Sequence, residues 1–118
     1  WQPEFYDWAF NLPRGEKLAE KWSKIPEGLD ILITHGPAHR MVDHTIDGQN
    51  VGCKDLFDRI MGVQPKIHVC GHIHWAYSQK TFHGVEFLNA STLNERYQYE
   101  NKPIVIEYNP ETKEIEYV

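Results

Sequence analysis

The chain has 118 residues, of which 41% are hydrophobic and 13% aromatic. This composition is typical of one packed globular domain with a modest core, and it excludes a disordered chain. The net charge of −5 gives no support for nucleic-acid binding. No apolar run approaches the roughly 20 residues of a membrane helix, so we expect no membrane partner, and the first residues do not resemble a secretory signal.

The two cysteines are too few and too far apart for a disulfide framework or a cysteine-based zinc site. A reducing, cytoplasmic location is therefore the expectation. Cys70, at the end of an apolar run, is expected to be a small core residue. Cys53, at the start of a predicted helix, is expected to be an ordinary packed or half-exposed thiol.

The first ten residues are crowded with aromatic side chains that follow no clear period. The chain starts at Trp1 and not at a methionine. Such a start looks like the middle of a domain, and we therefore expect residues 1–118 to be a fragment.

The first half of the chain alternates helix and strand patterns. Residues 13–25 read as a helix, because Leu18, Ala19, Trp22 and Ile25 recur at helical spacing. Residues 29–34 are almost continuously apolar, which predicts a parallel strand covered on both faces.

A long polar loop, residues 35–51, follows this strand, and loops of this length are often functional. Residues 53–61 then read as a helix and residues 66–70 as a strand. Strand, helix and strand in this order predict a right-handed βαβ unit with parallel neighbouring strands.

The second half has a different character and reads as mainly antiparallel β-structure. Residues 75–81 and 85–90 predict two strands joined near His83-Gly84. A hairpin is predicted from residues 103–108 and 114–118, because Asn109-Pro110 between them is a strong turn signal.

Histidines follow both strands of the predicted βαβ unit. His35 ends the first strand, and Gly71-His72-Ile73-His74 comes directly after the second. Because parallel strands end at one edge of a sheet, the three imidazoles are expected to converge there, where open α/β sheets place their ligands. Neutral imidazole is a common ligand for transition metals, so we predict a metal site at His35, His72 and His74. Ordinary loop histidines bonded to backbone or water are the alternative.

His39 lies four residues beyond His35 in the long loop. It is a candidate for contacting a substrate phosphate, although a solvated loop histidine is the more common case. His68, which alternates with apolar neighbours, is expected to be a satisfied core or half-buried side chain. His44 and His83 stand in turn-like contexts and are expected to be exposed.

The blocks Ile33-Thr34-His35-Gly36-Pro37 and Gly71-His72-Ile73-His74 resemble the last two signature blocks of the calcineurin-like metallophosphoesterase superfamily. The segments Phe10–Gly15 and Ile25–Gly28 look like the small brain-type metallophosphoesterase-domain-containing subfamily. The resemblance implies an α/β fold, namely the C-terminal half of a four-layer α/β/β/α sandwich. Residues 1–118 would then form a single partial domain whose N-terminal half is absent.

The resemblance also implies a binuclear metal centre with two divalent transition-metal ions, for which manganese, iron, zinc and nickel are not distinguished. His35 and His72 would bind one ion and His74 the other. The substrate would be a phosphate ester, with a phosphodiester or cyclic nucleotide as the class that the subfamily suggests. The missing N-terminal half or a second chain would be needed to complete the site.

The chain departs from the family pattern in ways that leave two functions open. The earlier blocks, Asp-x-His, Gly-Asp-x-x-Asp and Gly-Asn-His, are absent from these 118 residues, and with them the bridging aspartate and the expected general acid. Ala38 and Trp75 stand where the subfamily usually has proline and an acidic residue. The alternative is thus a non-catalytic metal-binding or structural remnant, and the fragment alone is expected to be inactive.

Overall fold

The structure is a computed structural model that describes all 118 residues. The elements in chain order are β1 (Gln2–Pro3), β2 (Asn11–Leu12), α1 (Glu16–Trp22), β3 (Ile31–Ile33), α2 (Lys54–Val63), β4 (Ile67–Cys70), a short 3-10 helix (His74–Ala76), β5 (Ser78–Phe82), β6 (Val85–Asn89), β7 (Ile106–Tyr108) and β8 (Ile115–Tyr117). The predicted α/β class is confirmed, with helices in the first half and hairpins in the second.

A mixed four-stranded sheet in the order β3-β4-β6-β5 forms the centre of the fold. β3 and β4 are parallel neighbours and pair Leu32 with His68, as the βαβ prediction requires. β6 also runs parallel to β4, whereas β5 and β6 form an antiparallel hairpin. β3, β4 and β6 therefore all end at the same edge of the sheet.

Two helices and the sheet enclose the hydrophobic core. α1 contributes Leu18 and Trp22, and α2 contributes Leu56 and Ile60, which are fully or almost fully buried. The cluster also includes Cys70 and Phe87 from the sheet. Cys70 is buried, as predicted, and Cys53 is buried at the first turn of α2, where the Trp22 indole N–H donates to its sulfur at 3.4 Å. No helix is long and apolar enough to cross a membrane.

The prediction that the first strand is covered on both faces is wrong for this chain. β3 is the edge strand of the sheet, and the side chains of Ile31 and Ile33 are 44% and 74% exposed. Their side chains point to the same face because they are two residues apart on a strand. On this face the neighbouring Ile67 of β4 is fully buried, whereas the edge strand itself is left largely uncovered.

The long loop after β3 is held in place by one buried carboxylate. Asp43 is 1% exposed and accepts hydrogen bonds from the backbone N–H groups of Arg40 and Gly52, both at 2.8 Å. A Cβ atom on Gly52 would lie 2.3 Å from the carbonyl oxygen of Ala38, so only glycine permits this close approach. The loop is thus an ordered part of the fold that begins at His35.

Candidate functional site

Backbone hydrogen bonds beyond the ends of β3 and β4 bring the histidine segments together. The Thr34 N–H donates to the carbonyl of Val69 at 3.0 Å, and the Gly71 N–H donates to the carbonyl of His35 at 2.9 Å. The parallel pairing therefore continues past both strands. His35 is fixed beside Gly71-His72, which is the juxtaposition that the sequence predicted.

The imidazoles of His35 and His72 face each other across this edge. Their ring centroids are 4.7 Å apart. Burial lowers the pKa of His35, and burial with the neighbouring imidazoles lowers the pKa of His72 to about 4. Both rings are therefore neutral near pH 7, which is the protonation state that binds a metal ion.

The backbone of His72 is in the left-handed region, with φ of 66°. Non-glycine residues rarely adopt this conformation, and it is found preferentially at functional sites. The glycines in the two blocks, Gly36 and Gly71, have no positive φ. The unusual backbone at this edge of the sheet is therefore adopted by the histidine itself.

His74 begins the 3-10 helix and is oriented by the loop after β6. Its Nδ1 lies 2.8 Å from the carbonyl oxygen of Asn94. Because a carbonyl only accepts, Nδ1 carries the proton and Nε2 has the free lone pair. Such a hydrogen bond to backbone is the usual way in which a metal-ligating histidine is held in one tautomer.

The three histidines line one cavity of about 280 Å³ together with Phe5, Trp8, Glu95 and Tyr97. Phe5 packs edge-on against His72 at a centroid distance of 4.7 Å, and Tyr97 packs edge-on against His74 at 5.4 Å. Glu95 is the only carboxylate in the lining. The cavity thus combines imidazole donors with an aromatic wall.

The residues present fit part of a metal centre. The donor chemistry is suitable, since His35 and His72 are neutral and His74 has an oriented Nε2. However, no group of three or more His, Cys, Asp or Glu side chains lies together in a form that could hold a metal ion. The chain therefore supplies imidazole donors at one place without closing a complete coordination shell.

The remaining histidines lie outside this cavity lining. His39 is half-buried, and its Nδ1 lies 4.0 Å from the carboxylate of Asp43, so a role in substrate binding stays a prediction. His68 is fully buried in β4, as the alternation predicted, but it is only partly satisfied, because its Nδ1 has no hydrogen-bond partner. His44 and His83 are exposed, also as predicted.

Several residues of the site were not singled out from the sequence. Glu95 and Tyr97 are in an irregular loop, where no periodic pattern indicates which side chains point inward. Phe5 and Trp8 belong to the aromatic N-terminal segment. Because this segment has no regular period, the sequence does not indicate that it contacts His72. Asn89, at the end of β6, donates to the carbonyls of Val42 and Ile73 at 3.1 and 2.9 Å.

An α/β fold with three histidines at the ends of its parallel strands defines a candidate metal site, and comparisons with known proteins identify the family. The human and mouse proteins named "Metallophosphoesterase domain-containing protein 1" are each 50% identical to the chain over 109 residues, which is 91% of the chain and 33% of each protein. "UPF0046 protein T07D4.2" of Caenorhabditis elegans is 41% identical over 117 residues, 97% of the chain and 30% of that protein. No family model matches the chain.

These matches confirm the relationship that the two histidine blocks predicted. The chain corresponds to a C-terminal portion of a metallophosphoesterase-family protein. It spans about a third of the length of the curated relatives it matches.

Proposed function

We propose that the chain is the C-terminal part of a metal-dependent phosphoesterase that hydrolyses a phosphodiester at a binuclear centre. His35 and His72 would hold one divalent ion and His74 the other. The observation that carries the proposal is the convergence of these three side chains on one cavity, with the rings of His35 and His72 4.7 Å apart. The metallophosphoesterase names of the relatives support the reaction class.

The metal ions would bind the phosphate and supply a water of lowered pKa as the nucleophile. The chain's own residues prepare the place for this chemistry. Burial keeps His35 and His72 unprotonated, and the carbonyl of Asn94 directs Nε2 of His74. Phe5 and Trp8 cover one side of the cavity, which restricts the access of bulk water and strengthens electrostatic interactions within it.

The proposal also includes the prediction that the chain forms one half of a larger sandwich fold. The βαβ unit β3-α2-β4 and the mixed sheet are consistent with one half of a four-layer α/β/β/α sandwich. The apolar side chains of Ile31 and Ile33 on the edge strand would then be covered by the other half of the domain. That half would also supply the carboxylate ligands that the 118 residues lack.

The test measures hydrolysis of an aryl phosphodiester with added Mn²⁺ by a longer protein that includes the preceding part of the domain. His72→Ala should lower turnover by on the order of 100-fold or more, the loss typical of removing one preorganised electrostatic group. His83→Asn is the matched control, because His83 is exposed and has φ of 47°, a conformation that asparagine tolerates. This variant should retain full activity.

The 118-residue chain assayed in the same way should show negligible turnover. Without a bridging carboxylate, its three imidazoles cannot hold two ions at the roughly 3.5–4 Å spacing of binuclear sites. Turnover by the short chain that a chelator abolishes would contradict this account of the missing ligands.

A second candidate is a non-catalytic metal-binding or structural module. The observation that favours it is the lack of any complete group of metal-binding side chains. A longer protein that binds Mn²⁺ but shows no chelator-sensitive hydrolysis would support this candidate over the enzyme.

A further inference from the structure

The hydroxyl of Thr34 links the His35–Gly36 turn to the buried interior of the sheet. Its Oγ1 lies 2.7 Å from the carbonyl oxygen of Gly36 and 2.8 Å from Nε2 of His68. Gly36 directly follows His35, so the hydroxyl spans the residue that carries the predicted ligand. Thr34 therefore joins two elements: the turn at the end of β3, and β4.

The number of protons determines the direction of both bonds. A hydroxyl has one proton to donate, and the carbonyl of Gly36 can only accept. Thr34 must therefore donate to Gly36 and accept from His68. His68 is then protonated on Nε2 and carries a bare lone pair on Nδ1.

The surroundings of His68 agree with this assignment. The side chain is fully buried, packs edge-on against Phe87 at a centroid distance of 5.6 Å, and its Nδ1 has no hydrogen-bond partner. Its burial holds the pKa at about 4, so the ring is neutral. One nitrogen is thus left unsatisfied, and the only polar interaction of the imidazole is the bond to Thr34.

We propose that His68 and Thr34 are positioning residues that fix the His35–Gly36 turn in the orientation needed to bind a metal ion. The imidazole of His68 donates to Thr34, which leaves the hydroxyl proton directed at the Gly36 carbonyl. His68 thereby fixes the turn through Thr34, although its own side chain does not line the cavity. The expected effect on metal binding rests on the proposed function. The two hydrogen bonds of Thr34 themselves do not depend on a metal ion.

The first test needs no variant and no metal. Long-range nitrogen–proton NMR of the 118-residue chain at neutral pH reports which nitrogen of each histidine carries the proton. Protonation of Nε2 in His68 is expected. Protonation of Nδ1 would reverse the direction of the bond and overturn the proposal.

The second test compares two substitutions that differ in whether the hydroxyl is kept. Thr34→Ser keeps the hydroxyl, whereas Thr34→Val removes it. The measurement is the set of nuclear Overhauser contacts between the ring protons of His35 and His72. These contacts should persist in Thr34→Ser and be lost or weakened several-fold in Thr34→Val. His68→Leu, which removes the donor at the other end, should behave like Thr34→Val and serves in its place should that variant not fold.

Val85→Ala controls for general destabilisation, because Val85 is fully buried in β6 and makes no contact in this hydrogen-bond chain. It should leave the ring contacts unchanged. Unaltered contacts in a folded Thr34→Val or His68→Leu variant would show that the two residues only contribute to packing.

A third measurement separates this inference from the proposed function. Titration with Zn²⁺ should give an affinity about tenfold lower for Thr34→Val than for Thr34→Ser, in the range found for residues that orient metal ligands. If the unsubstituted chain binds no Zn²⁺, the NMR results alone decide the positioning role, and the Mn²⁺-dependent assay of the longer protein separately decides the proposed function. If it binds Zn²⁺ and both Thr34 variants bind equally, the positioning role is contradicted.

Discussion

The buried imidazole of His68 makes the folded state sensitive to acid. Its pKa falls from 6.5 to about 4 because burial penalises the charged form, and a proton added to Nδ1 would have no partner. A histidine with a lowered pKa in the folded state contributes stability above its unfolded pKa. That contribution is lost as the pH falls from about 6.5 toward 4.

We predict that the unfolding free energy of the unsubstituted chain falls by roughly 3 kcal/mol more than that of His68→Gln when the pH is lowered from neutral to about 4. The figure follows from about 1.4 kcal/mol for each tenfold change in proton affinity. The measurement is urea unfolding across this pH range. His35 and His72 are present in both proteins, so the difference isolates His68. An equal dependence of the unfolding free energy on pH in the two proteins would contradict the lowered pKa of His68.

Individual residues were predictable where a strand end dictated their position. His35, His72 and His74 could be placed from the sequence because each follows an apolar run, and parallel strands end together. Glu95 could not be placed, because its approach to the cavity depends on the course of an irregular loop. The left-handed conformation of His72 was also not predictable, because Gly71 stands beside it and glycine is the usual residue at a positive φ.

At the scale of the elements, β6 ties the site to the long loop through Asn89. This side chain is fully buried. Its amide donates to the carbonyls of Val42 and Ile73, and its oxygen accepts from the backbone N–H and the hydroxyl of Ser91 at 3.1 and 2.7 Å. Ile73 lies between His72 and His74, so Asn89 anchors the centre of the His-x-His segment.

Asn89→Asp should destabilise the chain by about 3 kcal/mol or more at neutral pH. The substitution removes both donors and directs a buried negative charge at two carbonyl oxygens. Asn50→Asp makes the same change of charge at an exposed position and should shift the unfolding free energy by less than about 0.5 kcal/mol. Equal effects in chemical denaturation would show that Asn89 does not anchor the segment.

The type of each element was predictable, and its bounds were less so. The helix expected over residues 13–25 occupies only Glu16–Trp22, because the flanking residues bond in turns. The strand expected over residues 75–81 begins at Ser78 after a short 3-10 helix. The pairing of β1 with β2 was not expected, because two-residue strands are too short to show a period.

At the scale of the whole molecule, the sheet ends in an open edge at β3. An unpaired edge strand offers backbone donors and acceptors to other chains, and here Ile31 and Ile33 add exposed apolar surface. The sequence pattern suggested full coverage because it reports the apolar character of a strand and not which chain segment covers it. This is the physical reason that the prediction of a doubly covered strand was wrong for these 118 residues.

We therefore predict that the chain self-associates as its concentration rises, and that Ile33→Lys suppresses this association. A lysine on an edge strand opposes pairing with another edge. Ile46→Lys is the matched control, because Ile46 is 65% exposed and lies in the long loop outside every strand. Sedimentation velocity at several concentrations should separate the two variants. An equal response would exclude the β3 edge as the site of association.

The most direct test of the central claim is a titration of the 118-residue chain with Zn²⁺, followed by the nitrogen resonances of all seven histidines. The account predicts that the ring nitrogens of His35, His72 and His74 shift together at neutral pH while those of His44 and His83 do not. The shifts should reverse as the solution is acidified, because protons compete with the metal for the imidazoles. Shifts confined to the exposed histidines would contradict the claim that this edge of the sheet is a metal site, and no shifts at all would show that the three imidazoles do not hold an ion without the ligands of the longer protein.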